Sequence, residues 1–464
     1  MGAGVFDMTR NIEVFEKAPV PRAVAALAIP TVLSMLVSVL YNMVDTFFVA
    51  RTGDPNQVAA VSLATPVFLF LMAAGNIYGI GGSAYLSRSL GEKKTERARH
   101  ISAFCFYAGI ATGIVLGLLF IAGMPFILRW CGASPNTAGY ARDYLSWIAW
   151  GAPAVVVSTA FTNLVRGEGS ARAAMIGMMI GTVVNIILDP IMILSMKMGV
   201  AGAAIATVIG NLCSCAYYLI YILSGKHSIL SLKLSDVRTD DGIASNVFAI
   251  GTPASLNNVL MSLSNILMNN FLAGYGDIPV ASMGIAMKAN ILPVFLQLGV
   301  AMGIQPLVGY NYGARNYKRL KETMRFAMIT NLLIGSVITL VYFFFTRQII
   351  SFFIDNDAVV SRGVYMLRAL MISMPVLGIQ FIFSFTFQAM GKALPSLILS
   401  ISRQGFVFVP ALIIARAVAG LDGVTFAQPI ADYVSIVIAL IMFLGMNRGF
   451  KAEEKANSGM KAGL

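Results

Sequence analysis

Apolar residues in this chain run in blocks of about 20, separated by short polar stretches in which arginine and lysine collect. A helix of that length crosses the hydrocarbon layer of a bilayer at about 1.5 Å per residue. The blocks predict helices near 22–48, 57–86, 101–123, 139–160, 171–195 and 201–224, and again near 243–273, 280–306, 325–346, 362–385, 394–416 and 424–446. The expected fold class is therefore all-α, a polytopic membrane protein of twelve transmembrane helices. The first block begins near Ala23, after a mixed-charge segment with Arg10, Glu13, Glu16, Lys17 and Arg22. No small-x-small cleavage site follows it, so it reads as a span rather than a signal peptide.

Basic residues then assign the sides. Connections after odd-numbered spans hold few, namely Arg51, Arg129, Lys197, Arg347 and Arg416. Even-numbered connections gather Arg88, Lys93, Lys94, Arg97 and Arg99, and later Arg315, Lys318, Arg319, Lys321 and Arg325. By the positive-inside rule both termini are expected in the cytoplasm.

The chain also matches itself at an offset of about 222 residues. Val58-Ala-Ala-Val-Ser-Leu-Ala64 lies over Val280-Ala-Ser-Met-Gly-Ile-Ala286, and Pro153, Phe161 and Gly169 fall on Pro375, Phe383 and Gly391. Six spans return the chain to its starting side, so the halves share one orientation, as parallel repeats about an axis along the membrane normal. The expected organisation is a first lobe over 1–225, a cytoplasmic linker over 226–242 and a second lobe with a tail over 243–464. Paired lobes favour a central cavity open to alternate sides, and no filter-like segment points to a channel.

Composition excludes a soluble globule: 12% of residues are charged, 58% are hydrophobic and the mean hydropathy is +0.78. The net charge of +12 is parcelled into loops beside anionic lipid and does not form one basic face, so no nucleic-acid partner is expected. Cys105, Cys131, Cys213 and Cys215 sit in or beside apolar runs as packing residues. His100 and His227 lie only at the cytoplasmic edges, which argues against an enzyme in the bilayer, and no organic cofactor is expected.

Ionisable groups within spans are costly and so mark function. Asp45 lies toward the outer end of span 1, with Asn42 about one turn before it; Asn185 and Asp189 share a face of span 5. Thr207, about 10 Å into span 6, reaches the depth of Asp189. Two carboxylates, an amide and a hydroxyl are thus expected to converge in the outer half of the first repeat. The same set suits a sodium ion, which takes oxygen ligands, or a proton.

The second repeat differs, with Asn257, Asn258, Asn265, Asn269 and Asn270 in span 7 where an acid might have stood, so coupling is expected to be one-sided. Arg403 in span 11 and Asp432 in span 12 are expected to pair and to hold helix register. Lys288 in span 8 is expected to pair locally, because a lysine lining a cavity for cations would repel them.

These residues resemble the multidrug and toxic compound extrusion (MATE) family, and its MepA-like branch in particular. The resemblance rests on Tyr41-Asn-Met-Val-Asp-Thr46, Arg166-Gly-Glu-Gly169, Asn185-Ile-Ile-Leu-Asp-Pro190 and Gly303-Ile-Gln-Pro-Leu-Val-Gly-Tyr-Asn-Tyr-Gly313, and it covers all twelve spans. It implies a V-shaped pair of six-helix bundles in a prokaryotic inner membrane. Such a protein, expected to be a monomer among its lipids, would export small cationic amphipathic compounds in exchange for sodium or protons. It further implies that Asp45, Asn185, Asp189 and Thr207 form the cation site, and that Arg166 and Glu168 order a cytoplasmic gate or loop. A flippase for lipids or lipid-linked sugars is the alternative on the same topology.

Overall fold

Prolines at matching places in the two repeats set the shape of their spans. The structure, a computed structural model, describes residues 13–225, 228–238 and 242–462; Arg10, Lys226, His227, Asp240 and Asp241, with the side chain of Asn42, lie outside the described residues. The first repeat comprises α1 (Val20–Ala50), α2 (Pro55–Gly91), α3 (Thr95–Ala122) and α4, which has two pieces, Ala138–Trp150 and Ala152–Gly167. It continues with α5 (Ala171–Asp189) and α6 (Gly199–Leu223). The second repeat comprises α7 (Ile243–Ala273), α8 (Asp277–Gly313), α9 (Tyr317–Ser351) and α10, again in two pieces, Asp357–Met371 and Met374–Ala389. The two pieces meet at 57° in α4 and 47° in α10. Pro153 and Pro375 stand in the first turn of each second piece. Without an N–H a proline cannot extend the preceding ladder, but it can begin a new one.

Counted by length and apolar composition, eight helices suit a membrane crossing and the bent pairs raise the number to ten. Two further segments are helical but fall outside that count. α7 has 31 residues, but its asparagines lower its hydropathy. The other lies in the stretch after Ala393, where α11 (Ala393–Ile401 and a π-helical turn Ser402–Phe406) runs into Phe408–Ala462. Gly420, at φ 56° and ψ −128°, breaks that long helix in a backbone region that glycine tolerates. A straight helix would separate Arg403 and Asp432 by about 44 Å, yet their side chains touch at 2.8 Å. The chain therefore turns back at Gly420, and α12 is the return pass from 421 onward.

Within the repeats α1 packs on α5, α2 on α4, α7 on α11 and α8 on α10; between them α1 meets α8 and α2 meets α7. These crossings need glycine. A methyl group on Gly251 would strike the carbonyl of Ile77, and one on Gly303 would sit 2.6 Å from the Ala28 Cα. Gly299 likewise abuts Val32. All of these contacts lie toward the end of the spans that carries the basic connections. Beyond them Ser62, Pro66 and Leu69 of α2, and Ala281, Lys288 and Ile291 of α8, are exposed. The lobes therefore part toward the opposite end, leaving a V-shaped cleft whose floor is the glycine contacts.

Two straps close the basic side. The segment ahead of α1 grips the second repeat: Phe15 is buried and stacks on Tyr310 at 5.0 Å, and Tyr310 donates to Glu16 at 2.6 Å. Arg319 donates to the carbonyls of Phe15, Val14 and Ala18 at 2.7, 3.1 and 2.6 Å. The segment ahead of α7 grips the first repeat in turn, with Ser231 bonded both ways to Ser102 and Tyr107 donating to the carbonyl of Leu232 at 3.0 Å.

Candidate functional site

Three helices of the first repeat bring their polar side chains to one buried point. Asn185 and Asp189, four apart, project from the same face of α5, and Thr207 meets them from α6. The Asn185 amide is set with nitrogen toward the acid, since the opposite setting would oppose acceptor to acceptor. Its Nδ2 then donates to Asp189 Oδ2 at 3.0 Å, and its Oδ1 accepts from the Thr207 N–H at 2.9 Å. From α1 the Tyr41 hydroxyl reaches Thr207 Oγ1 at 3.3 Å. Asp45, one turn beyond Tyr41, stands within electrostatic range of Asp189 and of the Tyr144 hydroxyl.

Asp189 is 0% exposed, and its Oδ1 has no hydrogen-bond partner among the described residues. No basic side chain bonds it there. A buried carboxylate so left costs several kcal/mol unless a counter-charge or proton meets it. Directly after it, Pro190–Ser195 forms a π-helical turn, because Pro190 cannot donate to the α-helical ladder. The set offers carboxylate, amide, hydroxyl and carbonyl oxygens, the donors a hard cation takes. The structure thus brings Asn185, Asp189 and Thr207 into contact with Asp45 nearby. Tyr41, which the motif contains four residues before Asp45, and Tyr144 were not singled out from sequence.

In the second repeat Arg403 Nε donates to Asp432 Oδ1 at 2.8 Å, Gln428 donates to the same oxygen at 3.0 Å, and Ser373 donates to Oδ2 at 2.7 Å. Both oxygens of this acid are matched. Arg403 also lies over the Phe381 ring, 5.3 Å from its centre.

Lys288 corrects an expectation. It does not pair locally: its side chain is exposed and makes no ion pair among the described residues. The reason lies in the acids around it. α7 contains none, the one acid of α8 is Asp277 at its N-terminal end, and Asp422 and Asp432 are taken by Arg362 and Arg403.

Arg166 and Glu168 are both buried at the basic end of α4, yet they do not bond each other. Arg166 donates to Asn163 at 3.0 Å. Glu168 accepts from Ser228 Oγ at 2.8 Å and from the Ile229 N–H at 3.0 Å, so it anchors the strap that leads into α7. Burial pushes its carboxyl up to about 7 against the pull of those donors. Within the Arg-Gly-Glu-Gly motif, then, Glu168 touches the connection between the repeats and Arg166 bonds within its own helix.

Comparison with known proteins follows the same two-part layout. The MatE family profile matches residues 30–191 and again 253–413, once in each repeat. The chain belongs to the MatE family. This MatE protein is 32% identical over 428 residues to the multidrug export protein MepA of Staphylococcus saprophyticus, covering 92% of this chain and 94% of that one. It is 31% identical to MepA of Staphylococcus aureus over the same coverage. A solved outward-facing conformation of a multidrug resistance MATE family transporter superposes with a TM-score of 0.89 at 25% identity, over 96% of this chain and 99% of that one. The straight conformation of a MATE protein gives 0.90 at the same identity and coverage. The chain is thus an integral membrane protein with the two-repeat MATE fold.

Proposed function

We propose that this MatE protein is a secondary active multidrug efflux antiporter that exports cationic amphipathic compounds across the plasma membrane in exchange for sodium or protons. The similarity to the MepA export proteins over nearly the whole chain supports export. The observation that carries the coupling is Asp189, fully buried with one oxygen unmatched inside a ring of Asn185, Thr207 and Tyr41. With both termini in the cytoplasm, the V-shaped cleft is the outward-open state, and the straps and glycine contacts seal the inner side.

Sodium or a proton is then cargo that enters from outside. Its uptake neutralises the acids and changes how α1, α5 and α6 pack, because each of the three contributes a polar group. α1 is also the helix whose Ala28 and Val32 rest on Gly303 and Gly299 of α8, so a change in its packing reaches the lobe contact. Closure of the cleft follows release of the drug, and the inward-open state binds the next organic cation.

Ethidium efflux from proteoliposomes under imposed sodium and pH gradients tests this reading and tells the two ions apart. Asp189→Asn should abolish gradient-driven efflux while the protein is still made and inserted. Full efflux in that variant would remove Asp189 from the mechanism.

A further inference from the structure

We infer that the basic groove at the start of α9 is a binding site for a single anionic phospholipid. Lys318, Lys321 and Arg325 hold its headgroup phosphate, and an acyl chain lies along Ile329 and Leu332. Neither the cleft nor the Asp189 cluster takes part.

The two repeats treat the same helical face in opposite ways. In the first repeat the face of α3 that carries His100, Ala103 and Tyr107 lies under the strap ahead of α7. His100 Nδ1 pairs with the carbonyl of Asp236 at 2.8 Å, Tyr107 donates to the carbonyl of Leu232 at 3.0 Å, and Ala103 is fully buried. An offset of 222 residues puts Glu322, Arg325 and Ile329 of α9 at these three positions. There the face is open: all three are exposed, and Lys318, Lys321, Glu322 and Arg325 line a hollow of about 430 Å³. By the same offset the strap corresponds to residues 448–464, whose backbone continues α12 as helix to Ala462.

Charge selects the occupant. The groove carries three cations and one acid, and that acid, Glu322, stands within electrostatic range of Arg319. The matching positions of the first repeat, Glu96, Arg99, His100 and Ala103, hold one acid and one arginine. Side chains spaced three and four apart lie on one face of a helix, so two ammonium groups and a guanidinium can share one phosphate. The N–H of Arg319 in the first turn is already taken by Asn316 Oδ1 at 3.2 Å, so side chains rather than the helix terminus make the site. The chain's own last residues are a poor match. They carry Arg448, Lys451, Lys455 and Lys461 against Glu453 and Glu454, and like charge turns them away.

Beyond the basic residues the same face turns apolar. It presents Ile329, Leu332 and Leu340, all exposed, on a helix long and apolar enough to cross a membrane. One turn, about 6 Å, separates Arg325 from Ile329, as a phospholipid's charged head adjoins its chains. A free phosphate ion uses the three cations alone, whereas a phospholipid uses both halves of the stripe. Phosphatidylcholine bears the same phosphate, but its own cation opposes the three bases. Phosphatidylglycerol lacks that cation and is the better fit.

The test is native mass spectrometry of the purified full chain in detergent, titrated with phosphatidylglycerol or phosphatidylcholine. In the wild type one phosphatidylglycerol should bind ahead of further, weaker adducts. A basic residue near a bilayer surface is worth about fivefold in affinity. Lys318→Gln combined with Lys321→Gln and Arg325→Gln should therefore weaken that first adduct about a hundredfold and leave phosphatidylcholine binding unchanged. Lys93→Gln combined with Lys94→Gln and Arg99→Gln removes the same charge from the matching end of the first repeat, and should leave the first adduct in place. Because the two lipids are compared within each variant, partial loss of folded protein does not imitate the effect. Equal loss in the two triple variants overturns the site, since net charge alone then attracts the lipid, and so does a wild type with no distinct first adduct. Inorganic phosphate that displaces the lipid at equal concentration overturns the lipid and leaves a site for the free ion. Tighter phosphatidylglycerol binding in Glu453→Gln combined with Glu454→Gln overturns it as well, by giving the groove to the chain's own tail.

Discussion

Asp189 in the first repeat and Asp432 in the second are buried almost equally, at 0% and 2% exposure, and both stand within one of the last two spans of their repeat, Asp189 beside a π-helical turn and Asp432 against the arginine of another. Their surroundings differ. Asp432 has an arginine, a hydroxyl and an amide on its two oxygens. Asp189 has one amide, and its second oxygen meets no donor among the described residues. A matched buried acid fastens helices together, because removing either partner exposes an uncompensated charge. An unmatched one is a place where a cation can be loaded. Two copies of one scaffold thus carry a fastener and a candidate engine.

The sharpest way to break this contrast is to remove the arginine. Arg403→Ala should lower stability by about 3–5 kcal/mol, read as a fall in Tm in detergent, and Arg403→Met combined with Asp432→Leu should recover most of it. Asp189→Asn, by the same measurement, should hold or raise Tm while gradient-driven efflux is lost. A fall in Tm for Asp189→Asn comparable to that for Arg403→Ala would make Asp189 a second fastener.

A smaller effect is expected at the cleft floor. Gly251→Ala puts a methyl against the Ile77 carbonyl, an overpacking worth about 1–3 kcal/mol, and should bias the lobes away from the arrangement that this floor closes. Labelling of a cysteine introduced at Ser255, in a background without other cysteines, should then speed up with maleimide added from the basic side. An unchanged rate would mean that the floor adapts without opening.

The smallest effect concerns the strap. A carboxyl raised to about 7 in the docked state favours the proton there. Its contribution is complete below the ordinary glutamate value near 4.3 and is lost as pH climbs through about 7. Protection of the Ile229 amide against hydrogen exchange, corrected for intrinsic rates, should therefore fall between about pH 5 and pH 8, and Glu168→Gln should flatten that dependence. Protection that rises over this window would reverse the sign of the argument.

Much of the first-repeat site was legible because Asn185 and Asp189 are four apart on one helix and Thr207 is found at their depth by counting rise. Tyr41 was within reach of the same reasoning, one turn from Asp45. The grip of Glu168 on Ser228 and Ile229 was not, since it joins residues about 60 apart through a loop with no periodicity. Lys288 was read the wrong way round: its register on α8 was available, but the lack of any acid opposite it depends on where α7, α10 and α12 stand.

From the chain alone came the spans, the duplication and the list of side chains too polar for lipid. These are local properties, since hydropathy and a rise of about 1.5 Å per residue need only neighbours in sequence. Tertiary structure alone decided which of those polar groups are satisfied, where the lobes touch and which way Lys288 faces. Each of those outcomes is a contact between helices far apart in sequence, and pairing across that distance leaves no periodic trace in either partner.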